Sequence, residues 1–130
     1  QSPKAMSNIY YLPSHEYIRV EGAEGYVGIS EYAASQLGVV TYVDTPEEGD
    51  TFAAGEDFGA VESRKAASDL FMPVDAEVLE VNDELVDNPR LLNNAPLEAW
   101  ILKVRIEDPS QLDGLMDQKA YDEFVAAQQH

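Results

Sequence analysis

The run Trp100-Ile101-Leu102-Lys103-Val104-Arg105-Ile106 constrains this chain most. Trp100, Leu102, Val104 and Ile106 alternate with Ile101, Lys103 and Arg105. A period of two turns one set toward a core and the other toward solvent, which is the pattern of a half-buried strand. The rest of the chain repeats this signal in short pieces. Residues 17–21 alternate, with Ile18 and Val20 on one side and Tyr17, Arg19 and Glu21 on the other. Gly22 and Gly25 flank a turn, and 26–29 resume the strand, so this is a hairpin. Val39-Val40-Thr41-Tyr42-Val43 is β-branched and aromatic. Residues 44–50 contain Pro46 and Gly49 and read as an acidic loop. Strand-like runs lie at 58–61 and 70–72, where Pro73 ends the second. Residues 78–81 alternate less regularly and read as buried on both faces.

Helical signals are short and peripheral. Ser30 caps 31–37 and Gly38 stops it. Asn88 followed by Pro89 predicts one turn capped by Asn88. Ser110 is the expected cap of a segment bearing Leu112, Leu115 and Met116. Asp117 is the expected cap of a last helix with Tyr121, Phe124 and Val125 on one face. No strand alternates with a long helix, which disfavours a doubly wound sheet. The expected class is mainly β: an antiparallel β sandwich or flattened barrel with short peripheral helices and a C-terminal helix. Residues 1–5 differ in character from the rest of the chain, and Met6 opens a natural start. The expectation is an appended leader at 1–5 and a single domain over 6–130, long enough for a modest core.

Composition narrows the chemistry. There is no cysteine, so disulfides, thiol nucleophiles and thiolate metal sites are absent, and redox chemistry needs an added group. With 8 basic and 25 acidic residues the formal charge is −17, which repels phosphate backbones and makes nucleic acid a poor partner. No apolar run approaches the roughly 20 residues of a membrane helix, and no charged-then-apolar signal pattern opens the chain. No Lys or Arg lies between Arg19 and Arg64, an interval holding ten acids. A solvated face and a docking surface for a basic partner explain it equally. Two histidines, His15 and His130, are too few for a histidine-rich metal site, and no calcium loop, nucleophile elbow or phosphate-binding loop is present. Ser14, His15 and Glu16 are adjacent, and adjacent side chains in extended chain point apart, so they read as turn capping and surface hydration.

Of the four lysines, Lys4 falls in the expected leader, Lys103 on the outer face of a strand and Lys119 early in the last helix. Lys65 stands where two strand-like runs meet, beside Ala66 and Ala67. A turn tip exposes an amine, and small neighbours admit a modifying enzyme. Spacing alone does not separate this from an idle hairpin lysine, the commoner case.

The run Phe58-Gly59-Ala60-Val61-Glu62-Ser63-Arg64-Lys65-Ala66-Ala67-Ser68-Asp69 resembles the lipoyl-lysine segment of glycine cleavage system H proteins. Other blocks resemble that family in the same order: Ser14-His15-Glu16, Gly28-Ile29-Ser30-Glu31-Tyr32-Ala33, Gln36-Leu37-Gly38, Glu77-Val78-Leu79-Glu80-Val81-Asn82, Asn88-Pro89-Arg90-Leu91-Leu92-Asn93 and Ala99-Trp100. The chain departs from the family pattern at Arg64, at Asp75-Ala76 and at Ala99. The resemblance implies a lipoyl/biotinyl-type sandwich with Lys65 at a hairpin tip. It implies lipoate in amide linkage to Lys65, which removes one positive charge and takes −17 to −18. It also implies Glu62 as a recognition feature for lipoylation enzymes.

The function implied is that of a non-catalytic shuttle. It would carry an aminomethyl group from glycine decarboxylase to a tetrahydrofolate-dependent aminomethyltransferase and be reoxidised by dihydrolipoamide dehydrogenase. The expected location is a bacterial cytoplasm, or the mitochondrial matrix for a processed eukaryotic form, with neither nucleic acid nor membrane as partner. Ser14, Glu16 and Asp69 fall in family-like blocks and are candidates for a cleft that shelters the arm, with surface acids as the competing reading of Glu16 and Asp69. A biotinyl domain would place Met on both sides of the lysine, where this chain has Arg64 and Ala66. Lipoyl carriers of other complexes, an unmodified acidic interaction module and a small hydrolase on Ser14 and His15 are the remaining alternatives.

Overall fold

The computed structural model describes residues 8–128. The leader expected at 1–5, Met6 and His130 lie outside them. The elements run β1 (Ile9–Tyr11), β2 (Glu16–Glu21), β3 (Glu24–Ile29), α1 (Glu31–Leu37), β4 (Val40–Asp44), β5 (Thr51–Phe52), β6 (Asp57–Ser63) and β7 (Ala67–Phe71). They continue through β8 (Ala76–Val81), α2 (Glu84–Asp87), α3 (Leu91–Asn94), β9 (Leu102–Ile106), a 3₁₀ helix (Pro109–Gly114) and α4 (Gln118–Gln128).

Two antiparallel sheets carry the core. The larger has the order β1-β2-β3-β9-β8-β5, the smaller β4-β6-β7. Ile18, Val27, Val78 and Val104 of the larger pack with Val43, Val61 and Leu70 of the smaller in one buried cluster. The result is an unclosed sandwich, as the punctuated short strands predict. A second cluster of Tyr11, Tyr17 and Tyr121 lies on the other face of β2, where α4 packs with Phe124 and Val125.

Several local expectations are corrected. Tyr17 is fully buried, because α4 and the Pro96-Leu97 segment cover the face that alternation assigns to solvent, and its hydroxyl donates to the Pro96 carbonyl at 3.0 Å. Strand β9 starts at Leu102. Ile101 turns inward and is buried, while Trp100 is half-buried against Tyr26 at 5.3 Å between ring centroids. Strand β8 is not buried on both faces: its register shifts between Val78 and Glu80, and Glu80 is exposed. Asn88 closes α2, and α3 begins after Arg90. Asp108, not Ser110, caps the 3₁₀ helix, accepting from the Ser110 N–H. A carboxylate one residue before a proline at N1 is the better-placed acceptor there.

Other expectations hold. Ser30 Oγ accepts from the Ala33 N–H at 3.1 Å, and Gly38 ends α1 at φ 75°, where a side chain is strained. Asp117 Oδ1 accepts from the Ala120 N–H at 2.9 Å.

Gly59 sits in β6 where its register shifts, and a Cβ there would collide with the Asp44 carbonyl oxygen of β4. That obstacle is backbone, so it cannot swing away. Gly59→Ala is expected to lower the unfolding free energy by about 1–3 kcal/mol. Gly114→Ala, with nothing within 4 Å, is expected to stay within about 0.5 kcal/mol of wild type. Urea unfolding of both variants checks the pair.

Candidate functional site

Lys65 occupies the tip of the β6–β7 hairpin. Glu62 pairs with Ala67, and the Ser63 N–H donates to the Ala66 carbonyl at 2.8 Å, leaving Arg64 and Lys65 to make the turn. Two-residue hairpin turns usually need positive φ, yet His15 is the one non-glycine residue with positive φ among the described residues. Ser63 supplies the alternative. Its hydroxyl donates to the Ala66 carbonyl at 3.1 Å and accepts from the N–H groups of Lys65 at 3.3 Å and Ala66 at 3.2 Å. The Arg64 N–H donates to Val39 at 3.1 Å and ties the tip to the entry of β4. Lys65 is exposed, and its Cε lies 3.9 Å from where a Cβ on Gly38 would stand. Glu62 is exposed and pairs across the sheet with Tyr42.

Beside the tip lies a pocket of about 230 Å³. One wall is the turn Ser14-His15-Glu16, and the other is α1, through Tyr32, Ala33 and Leu37. Ala66, Ser68 and Asp69 of the hairpin close it. The three cleft candidates Ser14, Glu16 and Asp69 therefore line one cavity that reaches the residue after Lys65. Ile29, Val61 and Leu70 line it as well, so it is largely apolar with carboxylates at its margin.

The two acids differ. Asp69 is exposed on the edge strand β7, in line with a surface acid. Glu16 is only 2% exposed, which rules out that reading for it. Its Oε1 accepts from Ser14 Oγ at 2.5 Å and its Oε2 from the Phe71 N–H at 3.0 Å. Burial pushes the Glu16 carboxyl above its ordinary value of 4.5, against the smaller opposing pull of these hydrogen bonds.

His15 corrects the surface-hydration reading. It is half-buried among Tyr32, Tyr121 and Phe124, and its Nδ1 lies 2.7 Å from the Tyr121 hydroxyl. Ser14 donates to Glu16 and His15 faces Tyr121, so the three do not form a Ser–His–carboxylate relay. Burial lowers the His15 pKa from 6.5. Sequence reasoning missed Ser63, His15 and Tyr121. A serine two positions before a non-glycine hairpin tip was the available signal for Ser63; nothing local linked His15 to a tyrosine 106 residues away.

A family model described as Glycine cleavage H-protein matches residues 9–128. This chain belongs to the glycine cleavage H-protein family. Membership supports a lipoyl carrier role in the glycine cleavage system, in company with that system's other components. The glycine cleavage system H protein of Thermoanaerobacter sp. (strain X514) is 45% identical over 122 residues, 94% of this chain and 97% of the relative. That of Clostridioides difficile (strain 630) is 48% identical over 120 residues, 92% and 96%. A crystal structure of an H protein from Mycobacterium marinum superposes with a TM-score of 0.81 at 31% identity, covering 95% of this chain and 98% of that one.

The departures from the H-protein pattern are accommodated locally. Asp75 Oδ1 accepts from the Ala54 N–H at 2.7 Å, bracing the neighbouring loop, and Ala99 donates its N–H to Ala95 at 2.8 Å.

The shifted groups give the fold a signed pH dependence. The Glu16 carboxyl is raised, so its stabilising contribution is complete below about 4.5 and lost as pH rises through its folded-state value. Glu16→Gln keeps the shape and can still accept from the Phe71 N–H. Its stability relative to wild type is expected to rise between pH 4.5 and neutrality. His15 is lowered, so its contribution is complete above 6.5 and lost as pH falls through its folded-state value. Urea unfolding across this range separates the two slopes.

Proposed function

We propose that the chain is the shuttle of the glycine cleavage system, itself non-catalytic, with lipoate in amide linkage to Lys65. It takes an aminomethyl group from glycine decarboxylase, hands it to the aminomethyltransferase and is reoxidised by dihydrolipoamide dehydrogenase. The observation that carries this reading is the placement of an exposed lysine on a braced hairpin tip beside a sheltered pocket, in a chain without cysteine. The residues present fit the group: the pocket offers apolar walls for a hydrocarbon chain and carboxylates for an amine. When bound, lipoate supplies the redox sulfurs that the polypeptide lacks.

The chain's own residues present, orient and shelter. Ser63 holds the turn so that Lys65 stays exposed at the tip, where Glu62 and its neighbours are open to lipoylation enzymes. Tethering keeps the arm at a high local concentration for each docked partner. Ser14, Glu16 and Asp69 shelter a carried amine from water, with the Glu16 carboxylate held by Ser14 and Phe71 and that of Asp69 at the rim.

Intact mass after incubation with lipoate and a lipoylation enzyme tests the attachment. Wild type is expected to gain one lipoyl increment and Lys65→Ala none; an unmodified wild type overturns the carrier reading. Ser63→Ala is expected to slow lipoylation several-fold while the fold persists, read from the time course of the mass shift and from circular dichroism. For the cleft, Glu16→Gln with Asp69→Asn is expected to raise the rate at which the carried group is lost to water roughly tenfold, the scale of one hydrogen bond to a charged group. An unchanged rate removes these two residues from the role.

A further inference from the structure

One hydroxyl joins both walls of the pocket beside Lys65. Tyr121 on α4 does not line that pocket, but its hydroxyl meets His15 Nδ1 at 2.7 Å and donates to Ser30 Oγ at 2.6 Å. His15 belongs to the Ser14-Glu16 wall, and Ser30 is the N-cap of α1, the opposite wall. The Ser30 N–H also donates to the His15 carbonyl at 2.9 Å. The turn needs such restraint, because His15 holds φ 82°, a left-handed conformation that side chains adopt at a cost. The Tyr121 ring is itself fixed by parallel stacking on Tyr11, with centroids 3.9 Å apart. A rigid ring thus carries its hydroxyl to the seam where the two walls meet.

We propose that Tyr121 is a positioning residue, its hydroxyl hydrogen-bonded to both His15 Nδ1 and Ser30 Oγ, so that α4 sets the gap in which the carried group is sheltered. The inference rests on the carrier reading above. The bridge gives a signature at His15. Whichever way the protons run along it, Nδ1 is hydrogen-bonded to the Tyr121 hydroxyl, and that bond shifts the nitrogen's resonance from that of a free imidazole. The signature is visible without any cofactor.

Nitrogen-15 spectra of the unlipoylated full chain at pH 8 read the His15 ring. Wild type is expected to show Nδ1 shifted from the position of a free neutral imidazole. Tyr121→Phe keeps the stacked ring and removes only the hydroxyl. It is expected to move the Nδ1 resonance toward the free position and to shift the amides of Ser14, Glu16, Ser30 and Phe71 while leaving Arg64 and Lys65 in place. Once lipoylated to the same extent and loaded, Tyr121→Phe is expected to lose its carried group to water roughly tenfold faster than wild type.

A wild-type His15 Nδ1 at the position of a free neutral imidazole overturns the bridge, and that spectrum needs no variant to fold. An unchanged ring and unchanged amides in Tyr121→Phe overturn it too. A shifted ring with an unchanged loss rate overturns the positioning role. If wild type takes no lipoate, the carrier reading falls, while the spectra still decide whether the hydroxyl bridges the walls.

Discussion

The Glu16 carboxylate holds the site together. It belongs to β2 of the larger sheet, yet accepts the Phe71 N–H at the end of β7 in the smaller one, 55 residues away. Taking a carboxylate out of water is costly, and the cost is tolerated only where hydrogen bonds satisfy the oxygens. Glu16 has one from Ser14 and one from Phe71. The bond ties the two sheets at the end of β7 away from the Lys65 tip, and it places the carboxylate at the edge of the largely apolar hollow that reaches toward that tip. The same burial raises the acid's pKa above its ordinary value.

Around that bond the sandwich separates rigid from exposed parts. The hairpin carrying Lys65 grows from β6 and β7, whose Val61 and Leu70 are core residues a few positions from the tip. The tip is therefore held by packed strands rather than by a loose loop, and Ser63 replaces the glycine that such a turn would otherwise require. A site built on strands keeps its geometry better than one built on a loop. The long acidic interval lies largely on exposed loops and strand faces around this frame. It therefore affects how the chain meets its partners more than how it folds.

Alternation marked the strands well where one face meets solvent, as along Leu102, Val104 and Ile106. It failed at Tyr17 and Ile101, because a second layer or a chain crossing covered the face that the pattern left polar or open. Capping chemistry was legible at Ser30 and Asp117, where the acceptor lies within three residues of its donor. It was misplaced at Asn88, which ends α2 instead of capping α3, and at Ser110, where Asp108 takes the same terminus. Within the site, the exposed place of Lys65 between two strands was legible from local turn signals, whereas its role and that of Glu62 came from the family resemblance. Ser14, Glu16 and Asp69 could be named from family-like blocks, but their shared cavity could not be read from spacing.

The sequence by itself determined the class of fold, the absence of thiol chemistry and the one lysine set between strands, since periodicity, composition and turn chemistry are local properties. Only the tertiary structure decided that Glu16 is buried and Asp69 exposed, and that His15 faces Tyr121. It alone showed that Ser14, Glu16 and Asp69 surround one pocket beside Lys65. Those facts depend on contacts between residues 55 to 106 positions apart. No local pattern encodes them, because long-range packing and desolvation exist only once the two sheets and the last helix have come together.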